Sequence, residues 1–188
     1  MKRKRTLWLV VLKTLLGLIV LAFAAMAING DTTIEITTTT TIDAQASDVW
    51  QVFGEEFGEV SQWSENFTAS SLDRAISKGA IRTVELKPGS GLSGTVTQEV
   101  TEFDRAARAL TYEMRSGVPA LFRTIANEWT LVEIAPGKTR MSGQATFRLA
   151  WWAWPMTPLL RGKMSVSLDG FVGQLKAHLE RHPRAPAP

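Results

Sequence analysis

Apolar residues recur along this chain in three rhythms, and each rhythm predicts a different kind of element. Residues 7–28, "LWLVVLKTLLGLIVLAFAAMAI", are apolar except for Lys13 and Thr14. Twenty-two such residues make a helix of about 33 Å, long enough to cross a hydrocarbon core. From residue 32 the rhythm is two. In "TTIEITTTTTIDA", 32–44, Ile34, Ile36 and Ile42 share one parity and threonine favours extended backbone, which predicts a first strand. Two short helices interrupt the alternation. In "SDVWQVFG", Ser47 is the expected cap, Val49, Trp50, Val52 and Phe53 form an apolar face, and Gly54 is the expected stop. "EEFGEVSQW" is the second.

The alternation then returns and holds for about six strands. "NFTASSLDRAI" and "AIRTVELK" flank Ser77-Lys78-Gly79, a hairpin signal, and "PGSG" at 88–91 is a further turn. "LSGTVTQEVTEFD" is strand-like. Leu110, Tyr112 and Met114 alternate with polar neighbours, as do Ile125, Asn127, Trp129 and Leu131. After the turn Ala135-Pro136-Gly137-Lys138, Met141, Gly143, Ala145, Phe147 and Leu149 do the same. One apolar and one wet face per strand predicts an antiparallel sheet. From Thr157, the expected N-cap before Pro158, the period becomes 3.6. Leu160, Met164, Leu168, Phe171, Val172, Leu175 and Leu179 form a stripe that Pro183 ends. The expected class is α+β, with this helix pressed on the apolar face of the sheet.

Charge divides the chain in the same place as the first rhythm. Five of its 21 basic residues (Lys2, Arg3, Lys4, Arg5, Lys13) precede residue 31 and no acidic residue does, so the remainder carries 16 basic against 18 acidic residues. The folded part is mildly acidic, and a nucleic-acid face has no compositional support. "MKRKR" ahead of the apolar run reads as a targeting element. It is either a retained signal anchor over 7–28, with Lys13 snorkelling, or a signal peptide cleaved at Ala25-Met26-Ala27. In both cases the positive-inside rule exports the chain beyond Gly30. The expected organisation is a signal anchor or signal peptide over 1–30, a domain over 31–182 and a disordered tail over 183–188. The expected location is a cell membrane with the domain outside the cytoplasm, or a periplasmic or secreted product after cleavage.

Four segments, "TIDAQASDVWQVF" (41–53), "GAIRTVEL" (79–86), "EVTEFDRAARALTYEM" (99–114) and "LDGFVGQLKAHLE" (168–180), occur in an order that resembles the START-like, or SRPBCC, helix-grip superfamily, in its polyketide cyclase/dehydrase and lipid-transport-like branch. The resemblance covers about 33–182. It implies a curved antiparallel sheet of about six to seven strands gripping the C-terminal helix, with a cavity between them for an apolar ligand. It does not imply a reaction. Arg82 and Glu99 stand where the family's recurrent arginine and glutamate are expected. They orient a ligand or form a cross-strand surface pair. Parity leaves their facing open, because Arg82 goes with Val84 and Leu86 but Glu99 with Thr97 and Phe103.

Other candidates come from the residues themselves. Tyr112 and Asn127 share parity with apolar neighbours and would point inward, bonding a ligand or one another, the backbone or water. Trp129 and Phe147 are large inward residues. Trp151 is expected to complete the apolar face beside Leu149, with Trp152 or Trp154 flanking a portal in "WWAWPMTPLLRGK", where it also touches lipid. Gly162, Gly170 and Gly173 lie inside the long helix, either as close contacts to a bulky sheet residue such as Trp129 or as a bendable lid. Gly170 and Gly173 interrupt the stripe, so Gly170→Leu is expected to fill the space between helix and sheet. His178 and His182 have a metal-pair spacing but no acidic or cysteine cluster beside them, so no metal is assigned. The chain has no cysteine, no G-x-S-x-G elbow, no P-loop and no G-x-G-x-x-G. Asn66-Phe67-Thr68 is a glycosylation sequon only in a eukaryotic source. No catalytic residue and no cofactor are assigned.

The expected function is an exported, membrane-tethered domain that binds a hydrophobic small molecule or lipid. One alternative is a membrane-proximal protein-interaction module with a filled core. Another is a cyclase- or dehydratase-like enzyme using Tyr112, Arg82 or Glu99.

Overall fold

The computed structural model describes residues 8, 11–21, 24, 32–88 and 94–182. The A-x-A site at 25–27, most of the turn at 88–91 and the 183–188 tail lie outside them. Residues 11–21 are helical with every side chain exposed. No helix among the described residues is long and apolar enough to cross a membrane, so the spanning helix expected over 7–28 is not shown.

Seven strands form one antiparallel sheet: β1 (Thr33–Ile42), β2 (Phe67–Leu72), β3 (Ile81–Leu86), β4 (Gly94–Asp104), β5 (Ala109–Ser116), β6 (Phe122–Ala135) and β7 (Lys138–Leu149). Their order is β1-β7-β6-β5-β4-β3-β2, a meander from β2 to β7 with β1 closing against β7. Helix α1 (Ala46–Trp50) runs on through a π-helical turn, Gln51–Glu55, and a 3-10 turn, Phe57–Gln62. Another 3-10 turn, Trp151–Met156, leads into the long helix α2 (Thr157–Arg181).

Alternation puts Ile34, Ile36 and Ile42 of β1 inside, as their parity predicts. The caps differ from expectation. Gln45 and Met156 occupy the two cap positions, with no side-chain capping bond, and Ser47 and Thr157 are already helical. Gly54 does not stop the helix but lies in the π-helical turn, where a Cβ would come within 2.7 Å of the Trp50 indole.

The core has two parts. The larger joins α1 and its turns to the sheet and to the C-terminal half of α2, where Val172, Leu175 and Leu179 are buried. The smaller gathers Ile34, Ile36, Leu149 and Ala153, with Phe122, Phe147, Leu160, Met164 and Leu168 packed against them. Polar staples hold α2 along the edge strand β1: Thr38 Oγ1 donates to Asp169 Oδ1 at 2.7 Å and Lys176 Nζ to the Thr41 carbonyl at 2.8 Å. On its far side Gln174 Oε1 accepts from Ser64 Oγ at 2.7 Å. Every buried residue among those described lies between Ile34 and Leu179, so the described residues of the leading segment contribute nothing to this core.

The helix glycines overturn an expectation. A Cβ at Gly162, Gly170 or Gly173 meets nothing within 4 Å, and all three are exposed. They lie off the apolar stripe, so they neither pack on the sheet nor leave the gap beneath the helix, and Gly170→Leu would point into solvent. The close approach to Trp129 comes from Gly143 of β7, directly opposite it in register, where a Cβ would fall 2.3 Å from the indole Cζ3. Trp129 is itself wedged between Phe53 and Phe171, at ring distances of 5.3 and 6.1 Å. Gly143→Ala is therefore expected to lower stability by about 1–3 kcal/mol, the usual range for overpacking, measured by denaturant unfolding.

Candidate functional site

A cavity of about 240 Å³ lies between the concave face of the sheet and the N-terminal half of α2, at the seam of the two apolar clusters. The stripe of α2 explains where it opens. Its C-terminal members are buried, but Leu160, Met164, Leu168 and Phe171 are only half-buried, and the exposed Ser167 marks the mouth. The volume falls a little below the range of about 300–1,000 Å³ common for small-molecule sites. Phe122, Phe147, Trp129 and Phe171 form much of its wall.

Four polar side chains cross the floor on four neighbouring strands: Arg82 on β3, Gln98 on β4, Tyr112 on β5 and Asn127 on β6. Register brings them together, with Arg82 opposite Gln98 and Tyr112 opposite Asn127. All four are at most 6% exposed. Arg82 Nε donates to Gln98 Oε1 at 2.7 Å and its Nη1 to the Phe57 carbonyl at 2.9 Å. Its guanidinium carbon sits 3.5 Å from the centre of the Phe57 ring, a cation–π contact. Tyr112 packs beside both, its ring centre 5.2 Å from that of Phe57 and 5.2 Å from the guanidinium carbon. The Trp129 indole N–H is buried beside this floor without a hydrogen-bond partner.

The electrostatics of this floor are unusual because no carboxylate shares it. None of the ion pairs among the described residues includes Arg82. Burial pushes its guanidinium down from its ordinary value to about 10, still charged at neutral pH. The unfolded chain thus holds this proton more tightly than the folded one. Below about pH 10 the fold bears the net cost of holding this buried charge, and that cost is relieved only as pH rises above that value. Burial also raises the Tyr112 phenol above its ordinary value, against the pull of Arg82. It is therefore a neutral hydroxyl at physiological pH, able to donate to an oxygen but a poor base. Among the described residues the cavity wall holds no carboxylate and no imidazole.

Five of the seven residues singled out in the sequence, Arg82, Tyr112, Asn127, Trp129 and Phe147, line this one cavity. The other two do not. Glu99 lies on the outer face and pairs with Arg115 at 2.7 Å, while Arg82 is buried on the inner face, so the two form neither a common ligand site nor a surface pair with each other. The inward neighbour is Gln98, which sequence reasoning missed although Val96-x-Gln98-x-Val100 has the right alternation. Trp151 is 47% exposed and does not complete the apolar face. β7 ends at Leu149 and the backbone turns into a 3-10 segment, so period-two alternation no longer aims the side chain; Ala153 takes the inward place. The Phe57 ring and carbonyl were also missed, since a turn has no period from which to read a facing. His178 and His182 stack with their rings 5.0 Å apart at the end of α2. No group of three or more metal-ligating side chains occurs among the described residues.

Residues 33–180 match the model of a family described as polyketide cyclase/dehydrase and lipid transport. No curated protein matches the chain at a significant level. Solved structures share the fold. Norcoclaurine synthase from Thalictrum flavum, in complex with dopamine and hydroxybenzaldehyde, superposes with a TM-score of 0.65 at 13% identity, over 81% of this chain and 90% of that one. The ZhuI aromatase/cyclase from Streptomyces sp. R1128 gives 0.65 at 16% identity, over 81% and 97%. Ara h 8.0201 gives 0.64 at 14%, over 80% and 99%.

Proposed function

The chain belongs to the polyketide cyclase/dehydrase and lipid-transport family, and from that membership we propose a binding rather than a chemical role. The domain takes up a mostly apolar small molecule or lipid that carries one anionic end. One observation carries this reading: Arg82 is a buried cation with no carboxylate partner among the described residues, set in an otherwise greasy cavity. Such a charge is costly alone and strongly attracts an anion that shares its low-dielectric surroundings. Gln98 and the Phe57 carbonyl hold the guanidinium in place, so a carboxylate, sulfonate or phosphate meets a pre-oriented donor. Tyr112 and Asn127 add polar atoms at the same depth, and the aromatic wall suits the apolar remainder. The family description includes cyclases and dehydrases, but the cavity offers no ionised carboxylate or imidazole among the described residues to move a proton. That favours carriage over catalysis.

The domain works outside the cytoplasm, tethered by residues 7–28 with "KRKR" left inside. Support comes from the helical residues 11–21, whose apolar side chains are exposed and find no cover on the folded domain. A helix whose surface is apolar but for Lys13 and Thr14 is better served by an apolar medium, with the lysine snorkelling.

Because every buried residue among those described lies from Ile34 onward, the test uses residues 31–188 produced alone. Organic extraction of that protein after purification from a membrane-containing lysate, read by mass spectrometry, is expected to release an acidic apolar compound in near-stoichiometric amount. An extract holding only neutral lipids in trace amount would remove the anionic end from the proposal.

A further inference from the structure

Exposed apolar residues gather around the turn after β7. Trp151 and Trp152 are 47% and 49% exposed, Met156 40% and Leu159 60%. From these residues, together with the course of the chain, we infer that this tryptophan-rich turn and the start of α2 dock on the membrane surface, with a lipid bilayer as the partner. The inference rests on residues 7–28 being the membrane segment.

Three observations converge. The first is where the chain enters the domain. Thr33 opens β1 opposite Arg148, and the Thr32 carbonyl accepts from the Leu149 amide at 3.0 Å. Trp151 is two residues further on. From Ile28 to Thr33 there are five residue steps, which reach at most about 18 Å even fully extended. A domain on so short a leash must present this corner to the bilayer. The opposite end of the sheet, at the β6–β7 turn, is the one held away.

The second is side-chain chemistry. Tryptophan beside methionine and leucine is the composition of an interfacial contact, with an apolar body and a polar N–H suited to headgroup depth. The third is charge. Arg123, Arg148, Arg161 and Lys163 are exposed on the elements that meet here, and Arg161 Nη1 reaches the Glu35 carbonyl at 3.1 Å. Among the described residues at this corner these four cations stand beside Glu35, and even with Asp31, which precedes Thr32 in the sequence, the excess of positive charge favours an anionic lipid surface.

The geometry also gives docking a use. Ala153 of the turn shares its apolar cluster with Phe122, Phe147, Met164 and Leu168, all of which line the cavity. The docked corner thus adjoins the half-buried part of α2 over the mouth, so an apolar ligand passes between bilayer and cavity with little exposure to water.

The chain has no native cysteine, so single-cysteine variants of the full chain report position cleanly. Leu159→Cys and, on exposed β6 near the far turn, Glu133→Cys would each carry a nitroxide. Each is reconstituted in vesicles of three parts phosphatidylcholine to one part phosphatidylglycerol. The expected result is a chain that resists alkaline carbonate extraction, with an oxygen-to-nickel collision ratio at least about fivefold higher at 159 than at 133. A retained chain with both labels equally open to aqueous nickel overturns the docking and leaves the tether standing. A label at 159 shielded from oxygen and nickel alike means a protein contact and overturns it too. Release by carbonate removes the tether and the docking together.

Discussion

Arg82→Met is expected to erase the preference for an acid over its ester. For the domain beginning at residue 31, binding of decanoate should weaken by about 10- to 100-fold, while methyl decanoate binds as before; competition with a fluorescent apolar probe measures both. The magnitude comes from a charge-assisted hydrogen bond made away from water, about 1.5–3 kcal/mol, at 1.4 kcal/mol per tenfold. Stability should move far less. Methionine removes the burden of a buried charge without a counter-ion, which is neutral or favourable in itself. It also leaves Gln98 Oε1 and the Phe57 carbonyl without their donor, at about 1–3 kcal/mol. The opposing effects leave a net change small enough to keep the variant folded, and a thermal melt at the same pH checks this.

Val96→Phe should abolish uptake of every apolar ligand, acid or ester, because it fills the cavity itself. Val96 is buried on the floor of the cavity, opposite Val84 in register. A phenyl ring there has open volume to enter, so the cost of overpacking stays within about 1–3 kcal/mol. The loss of probe binding should exceed 50-fold. Gly170→Leu is the control. It adds a large side chain to the gripping helix α2, but into solvent, and should leave uptake unchanged. If both variants bind normally, the ligand does not occupy this space.

Much of the fold was legible because alternation is a strong signal where one face of a strand is buried. The parity of β1, β5, β6 and β7 brings Ile34, Tyr112, Trp129 and Phe147 inward. Facing failed where the backbone departs from a regular period. On β4 the register shifts between Val100 and Glu102. Val96, Gln98 and Val100 point inward before it, while Phe103 stacks inward on Trp50 after it, at 5.3 Å. Phe103 therefore gave no guide to the facing of Glu99. Trp151 failed because its strand had already ended. The helix glycines failed for a different reason. A missing side chain in a stripe reads as a gap, but Gly170 and Gly173 belong to the solvent face, and the volume beneath α2 comes from its shallow seating over residues 160–171. No local pattern encodes that seating, which the staples to β1 and the Ser64–Gln174 bond set from a distance. The lone charge on Arg82 was equally invisible, because the absence of a nearby carboxylate is a property of the assembled sheet.

A crystal structure of the domain grown with decanoate would test the central claim most directly. The account predicts the carboxylate within about 2.7–2.9 Å of the Arg82 guanidinium, near Tyr112, with the alkyl chain running along Trp129 and Phe147 toward the mouth at Ser167. A structure in which Arg82 keeps only Gln98 and the Phe57 carbonyl, while decanoate is absent or bound outside the sheet, would contradict it.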